Sequence, residues 1–130
     1  MPHEKIVADW LMGWNSKDLE AATVHFAEDA VFSSPSVLAL GLDPSGRIRG
    51  KAAIRALTAA AFERFPRLRF EIDTVLEHGD RILILYRKLN VFSADPGLTM
   101  EIFDLEGDRI HRSTVYWGVE EVAARFRPAV

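Results

Sequence analysis

Residues suited to acid–base chemistry are few in this 130-residue chain, and Glu101 is the most informative of them. It lies in an apolar segment, 98–105, in which residues two apart share one face of a strand. If Thr99 faces a cavity, Glu101 faces it too. Apolar surroundings would then raise the pKa of its carboxyl group, which could make it a usable general acid or base. The alternative is a structural ion pair with Arg112 across the final hairpin, which a four-residue turn allows and a one-residue shift in register prevents.

His111 is the second candidate for proton transfer. In a strand over 109–117 it shares a face with Ser113 and Trp117, so it could point into the same cavity as Glu101. The alternative is that its side chain lies on the other face of the sheet. If the chain carries an acid–base site at all, the sequence assigns it to Glu101, with His111 as its partner.

Other kinds of reactive site are not indicated. His3, His25 and His78 have no metal-binding spacing with each other or with His111, so no metal site is predicted. We expect His25 to be solvated on a short helix and His78 to lie at a surface turn. The sequence has no GxSxG elbow, no phosphate-binding loop and no GxGxxG after a strand, and it contains no cysteine. No cofactor is predicted.

Helical periodicity dominates the first half of the chain. Apolar residues four apart, such as Ile6, Trp10 and Trp14, give one stripe on a helix. A proline at position 35 closes the first strand, whose last inward-facing position is Ser34. The predicted elements are helices over 4–14, 19–26 and 51–65, a strand over 30–34, and a loop over 36–50 that could rim a pocket.

A period of two replaces the helical period after Pro66. Four strands are predicted, with turns at Gly79-Asp80, Asp95-Pro96-Gly97 and Glu106-Gly107-Asp108. The strands begin at positions 68, 81, 98 and 109. Three helices and one early strand followed by an antiparallel meander indicate an α+β fold. A strongly curved sheet wrapped around the long helix would leave a closed-ended cavity, and its other face would need a partner.

Composition narrows the class of protein. The chain has the size of one domain, 1–130, with 48% hydrophobic and 27% charged residues and a net charge of −3. No block of Lys and Arg is present, which argues against nucleic acid as a partner. No apolar run reaches the length of a membrane span, and the first residues do not resemble a signal peptide. We expect a cytoplasmic protein that binds neither nucleic acid nor membrane.

Three segments carry a resemblance to a known family. They read DWLMGWNSKDLEAATVHFAEDAVFSSP, GKAAIRALTAAAFERFP and GDRIHRSTVYWG. Together they resemble the nuclear transport factor 2-like superfamily, and most of all its SnoaL-like polyketide cyclases and ketosteroid isomerase-like members. The resemblance implies a cystatin-like conical barrel, with three helices packed on a mostly antiparallel sheet, an apolar pocket, and a homodimer formed through the outer face of the sheet.

The catalytic residues of two enzymes of this superfamily are not matched. Ketosteroid isomerase uses an aspartate base with a tyrosine and a protonated aspartic acid. The resemblance places these positions at Ser34, Trp10 and Thr99. An aspartate of the epoxide hydrolases falls on Val115. Neither activity is therefore expected by its known mechanism, and Ser34 is either a ligand contact or simply a strand end.

Aromatic residues favour the binding of a flat, largely apolar molecule. For any one of them, filling the core is the alternative. The predicted ligand-binding residues are Trp10, Trp14, Phe32, Ser34, Tyr86, Thr99, Phe103, Ser113, Val115 and Trp117. The leading hypothesis is a homodimeric small-molecule-binding protein. The alternative is a cofactor-independent isomerase, cyclase or lyase that uses Glu101, and a protein-binding module is the weakest of the three.

Overall fold

Helices precede a continuous run of strands in the computed structural model, which describes residues 3–91 and 97–120. The helices are α1 (Glu4–Ser16), α2 (Leu19–Thr23), α3 (Pro35–Ala39) and α4 (Lys51–Arg64). The strands are β1 (Phe26–Ser33), β2 (Arg47–Arg49), β3 (Arg69–His78), β4 (Arg81–Leu89), β5 (Leu98–Glu106) and β6 (Arg109–Tyr116). This is the predicted α+β class. None of the helices in this part of the chain is long and apolar enough to cross a membrane.

The six strands form one curved sheet in the order β2-β1-β6-β5-β4-β3. All neighbours are antiparallel except β1 and β6, which run parallel. The curved sheet with helices packed against it confirms the predicted fold class, and the sheet is not closed into a complete barrel. The predicted meander is present as β3 to β6.

Aromatic rings join α1 to the inner face of the sheet. The Trp10 ring lies 5.2 Å from that of Tyr86, 5.5 Å from that of Phe70 and 5.7 Å from that of Phe103, measured between ring centroids. Contacts at these distances add to the free energy gained by burying the rings. The helical stripe recognised in the sequence is therefore the face of α1 that packs on the core.

Asn15 fixes the end of α1 to the edge of the sheet. Its Nδ2 donates to the carbonyl oxygen of Phe70 at 3.0 Å, and the Phe70 amide donates to its Oδ1 at 2.7 Å. The side chain thus takes the place of a neighbouring strand at this position of β3. Two residues further on, the Lys17 ammonium donates to the Leu68 carbonyl oxygen at 2.6 Å.

The segment 36–50 is not the structureless loop that the sequence predicted. Ser34 caps α3: its Oγ accepts a hydrogen bond from the Ser36 amide at 3.1 Å, and Pro35 occupies the first turn. Strand β2 then pairs antiparallel with β1. A helix of five residues and a strand of three are too short to give a periodic signal, which is why the prediction was wrong.

Strand β1 begins four residues earlier than predicted, and α2 ends at Thr23. Phe26 already pairs with Ile110 of β6, and an irregularity follows before Val31. His25, expected to be solvated, lies in the turn before β1, with its Nε2 2.7 Å from Asp9 Oδ2. The parallel partner from the far end of the chain decides where β1 begins, and local sequence does not contain that information.

The hairpin registers settle the alternatives left open for Glu101. A two-residue turn at Gly79-Asp80 joins β3 to β4, as predicted. In the last hairpin Glu101 lies opposite Val115, whereas Arg112 lies opposite Asp104 and points to the outer face. The alternative ion pair between Glu101 and Arg112 is therefore absent. The predicted turn at 95–97 falls mostly on residues 92–96, outside the described part of the chain.

Candidate functional site: an apolar pocket with a buried carboxyl

A pocket lies between helices α1 and α4 and the inner face of the sheet. The empty space between its wall atoms is about 630 Å³ when the open solvent at its mouth is counted, and the interior itself is narrow, with room for a few water molecules. Its apolar lining residues are Trp10, Trp14, Ala22, Phe26, Phe32, Leu40, Ile54, Leu57, Ala61, Phe65, Leu68, Phe70 and Val91. Its polar lining residues are Ser36, Thr58, Tyr86, Lys88 and Glu101.

Glu101 is the buried acid of this pocket, with 3% of its surface exposed. The Tyr86 hydroxyl donates to its Oε1 at 2.7 Å, and the Ser113 hydroxyl donates to its Oε2 at 2.6 Å. Tyr86 and Ser113 come from the strands on either side of β5 and lie diagonally across from Glu101 on the inner face. We call these three residues the carboxyl cluster.

Burial controls the protonation of the carboxyl cluster. Loss of solvent raises the pKa of Glu101, while the hydrogen bonds from Ser113 and Tyr86 and the charge of Lys88 act against that rise. The pKa of Tyr86 is raised well above its ordinary value by burial and by the neighbouring carboxylate. Tyr86 therefore stays a hydrogen-bond donor at neutral pH, and Glu101 is an acid whose proton is retained to higher pH than usual.

Lys88 brings a positive charge to the same pocket. Its Nζ donates to Ser36 Oγ at 3.3 Å and lies 5.5 to 6.0 Å from the ring centroids of Phe70, Tyr86 and Trp117. Burial lowers the pKa of Lys88 to about 8, although the charge of Glu101 works in the opposite direction. Within 3–91 and 97–120, no carboxylate oxygen lies within the 4.0 Å of a salt bridge with this ammonium.

The structure brings about half of the predicted site residues to the pocket wall: Trp10, Trp14, Phe32, Tyr86 and Glu101. Others lie on the inner face but behind the wall. Phe103 is fully buried and packs on Trp10 and Phe26, and Val115 is part of the same core. Thr99 is fully buried opposite Tyr86, and its hydroxyl has no hydrogen-bond partner among the described residues.

Ser113 and Trp117 support the site without lining the pocket. Ser113 holds the Glu101 carboxyl from the neighbouring strand. The Trp117 ring packs on the core beside Lys88. Both therefore act on residues of the wall.

Two predicted site residues lie away from the pocket. The Ser34 hydroxyl is occupied in capping α3, and the pocket position nearby is taken by Ser36. The His111 side chain is 42% exposed, with its Nδ1 3.7 Å from Glu106 Oε2. The irregularity between Asp104 and Leu105 changes the strand pairing near the turn. The prediction assumed that His111 shares the face of Ser113 because the two are two residues apart, and this assumption fails at the irregularity.

Lys88 and the contribution of α4 were not predicted from the sequence. Lys88 was recognisable in principle, because it lies two residues after Tyr86 and so shares the inner face of β4. Ile54, Leu57 and Ala61 of α4 line the pocket wall, a role that the sequence did not predict. No sequence pattern indicated Ser36 as a pocket residue, because its place in the wall depends on the short helix α3. No group of three His, Asp or Glu that could hold a metal is found in the described ranges.

Comparisons with known proteins agree with this architecture. A family model described as a SnoaL-like domain matches residues 7–113. No curated protein matches the chain. Among solved structures, a SnoaL-like protein of unknown function from Burkholderia thailandensis is 28% identical, with a TM-score of 0.78, and the match covers 89% of this chain and 93% of that one.

Two more distant structures share the fold. A putative polyketide cyclase from Sinorhizobium meliloti is 24% identical over 85% of this chain and 92% of that one, with a TM-score of 0.70. A hypothetical protein with a ketosteroid isomerase-like fold from Catenulispora acidiphila, in complex with trimethylamine, is 17% identical over 93% and 91%, with a TM-score of 0.72. The family model spans most of the chain, and the chain therefore belongs to the SnoaL-like domain family.

Proposed function

We propose that this protein binds a small, mostly apolar molecule in the pocket between α1, α4 and the sheet. The observation that carries the proposal is the composition of the wall, in which aromatic rings surround a few convergent polar groups. Such a lining is typical of sites that take an apolar body and orient it through one polar end. The narrow interior favours a flat or small ligand over a bulky one.

Two of the similar structures are described in terms of small organic molecules. The structure from Catenulispora acidiphila contains trimethylamine, a small organic molecule, and the protein from Sinorhizobium meliloti is described as a putative polyketide cyclase. Both are below 25% identity and share only the fold with this chain.

Intrinsic tryptophan fluorescence tests the proposal, because Trp10 and Trp14 lie in the wall. A panel of steroids, aromatic polyketides, terpenoid epoxides and fatty acids should contain a class that changes the emission saturably. Ala61→Met fills the pocket from α4 and should weaken that binding at least tenfold. Ala59→Met, on the exposed side of the same helix, is the matched control and should bind like the wild type.

Equal binding by Ala61→Met, Ala59→Met and the wild type would contradict a site in this pocket. An absence of any response across the panel would count against small-molecule binding as the function. Neither outcome bears on the homodimer expected through the outer face of the sheet, because that face lies on the other side of the sheet from the pocket.

Acid–base catalysis is a second candidate, favoured by one observation. Glu101 is a buried carboxyl with a raised pKa on the wall of an apolar pocket. Above that pKa it could accept a proton from a carbon next to a ligand carbonyl and return it to another atom of the same molecule, which is an isomerisation or cyclisation without net oxidation. Glu101→Gln should then abolish turnover and keep binding within a fewfold, whereas a pure binding protein has no turnover to lose.

A further inference from the structure

Lys88 is a cation in a pocket whose wall is mostly aromatic and aliphatic. Its side chain is partly buried, and its Nζ donates to Ser36 Oγ and lies near the faces of three rings. An ammonium group held in such surroundings has lost part of its hydration and gains much from an anion that reaches it. The rings around it recover only part of that loss.

Glu101 does not serve as the close counter-ion of Lys88. Both of its oxygens already accept short hydrogen bonds from Tyr86 and Ser113, and neither lies within 4.0 Å of Lys88 Nζ. Because the pKa of Glu101 is raised, a larger fraction of its carboxyl group is protonated, and therefore neutral, towards acidic pH. Within the described residues, the pocket thus contains a positive group with no direct anionic partner.

We infer that the pocket selects apolar molecules carrying one anionic oxygen group, a carboxylate or a phenolate, which Lys88 Nζ and Ser36 Oγ bind. This inference rests on the proposed function and specifies its ligand class. The apolar body of the ligand lies against the aromatic wall, and the anionic oxygen takes the ion pair that no described side chain provides. A charge-assisted hydrogen bond in such a site is stronger than one between neutral groups.

The charge balance makes binding depend on pH. Among the described residues, the titratable groups that share the pocket with Lys88 are Glu101 from β5 and Tyr86 from its own strand. Its other neighbours there, Ser36, Phe70 and Trp117, do not titrate. Lys88 has a pKa of about 8 in the free protein, so an anion binds with proton uptake near that pH. Above about pH 8 the affinity for an anion should fall by up to tenfold per pH unit, because Lys88 of the free protein loses its charge there.

Isothermal titration calorimetry with isosteric pairs tests the inference. Benzoate is compared with benzamide, and 2-naphthoate with 2-naphthamide, on the wild type at neutral pH. We expect the acid of each pair to bind at least about tenfold more tightly than its amide. Lys88→Met should remove the preference, so that the acid and the amide of each pair bind within about threefold of each other, and Lys88→Arg, which keeps the charge, should retain it.

The outcomes separate the inference from the function on which it rests. Equal binding of acid and amide by the wild type, or an acid preference that survives in Lys88→Met, would overturn the inference and leave the pocket intact as a binding site. Failure of both members of both pairs to bind would overturn it together with the proposed function for ligands of this size. The wild-type pH profile is an independent measurement if Lys88→Met does not fold, because an affinity unchanged between about pH 7 and pH 9.5 also overturns it.

Discussion

At the scale of single residues, the pocket is defined by one acid that is held in place on two sides. Glu101 occupies the middle strand of three, so Tyr86 and Ser113 reach its two oxygens from opposite directions. A carboxyl with both oxygens hydrogen-bonded has a fixed orientation, and it remains able to accept a further bond from a ligand because each oxygen has two lone pairs. The carboxyl cluster is therefore suited to orienting a ligand, whether or not a proton is transferred.

Replacing Glu101 should alter the pH dependence of stability. The folded-state pKa of Glu101 is raised above its ordinary value of 4.5, so the folded protein binds more protons than the unfolded chain once the pH exceeds that value. Stability is accordingly lost as pH rises from about 4.5 through the folded-state pKa. Glu101→Gln cannot titrate, so its free energy of unfolding relative to the wild type should improve across this window, by about 1.4 kcal/mol for each pH unit that the window spans.

Urea unfolding of both proteins at intervals between about pH 4 and pH 8 measures this difference. Ser113→Ala is the matched variant: it removes a donor that lowers the pKa of Glu101, so it should extend the window to higher pH. A difference between Glu101→Gln and the wild type that stays constant with pH would show that Glu101 is not perturbed by burial.

The sequence predicted that Glu101 belongs to the site and that its side chain faces the cavity, because alternation along a strand is a local property. It did not find Lys88, which obeys the same alternation, because a lysine near the end of a strand is usually solvated. It misplaced Ser34 and His111, whose orientations depend on a short helix and on an irregular pairing. Local patterns thus identified members of the site that lie within long, regular helices and strands, with the exception of Lys88.

At the scale of secondary-structure elements, the pocket depends on how α1 is attached to β3. Strand β3 is an edge of the sheet, and Asn15 satisfies the amide and the carbonyl of Phe70 there. The Phe70 ring in turn stacks on that of Trp14 at 4.8 Å, and both rings belong to the pocket wall. One amide side chain therefore positions two aromatic residues.

Removal of this attachment should cost stability. Asn15→Ala deletes two hydrogen bonds and leaves the polar groups of Phe70 partly buried, which should lower the free energy of unfolding by about 2 kcal/mol. Ser16→Ala, at the exposed neighbouring position, is the control and should change it by less than about 0.5 kcal/mol. Urea midpoints measured side by side check this, and equal midpoints for the two variants would contradict the role of Asn15.

The main helices and the antiparallel strands were predictable because each is long enough to show its own period. The parallel pairing of β1 with β6 was not, since it joins residues about 80 positions apart in the chain, as in Phe26 and Ile110. That pairing also joins β1 and β2 to the meander, which gives the sheet its six strands.

At the scale of the whole molecule, the two faces of the sheet differ in how they are covered. The helices lie on the inner face, whereas within residues 3–91 and 97–120 the outer face carries a small cluster in which Val119 packs on Leu85 and Leu98. Tyr116 remains 48% exposed. Apolar residues of this face that are partly or fully exposed include Leu76, Leu83, Met100, Ile102 and Tyr116. We propose that a second copy of the chain covers this surface, because a contiguous apolar patch on an isolated domain is costly.

A charge placed on the outer face should therefore dissociate the proposed dimer. Ile102 lies on the middle strand of the patch, between Leu83 and Thr114. Ile102→Glu would bury an unpaired carboxylate in each half of the interface, which should weaken association by about 3 kcal/mol or more, over a hundredfold. Leu42→Glu adds the same charge at an exposed apolar residue between α3 and β2 and should leave the oligomeric state unchanged. Light scattering after size exclusion gives the mass directly: we expect a dimer for the wild type and Leu42→Glu and a monomer for Ile102→Glu, whereas a monomeric wild type would refute the proposed interface.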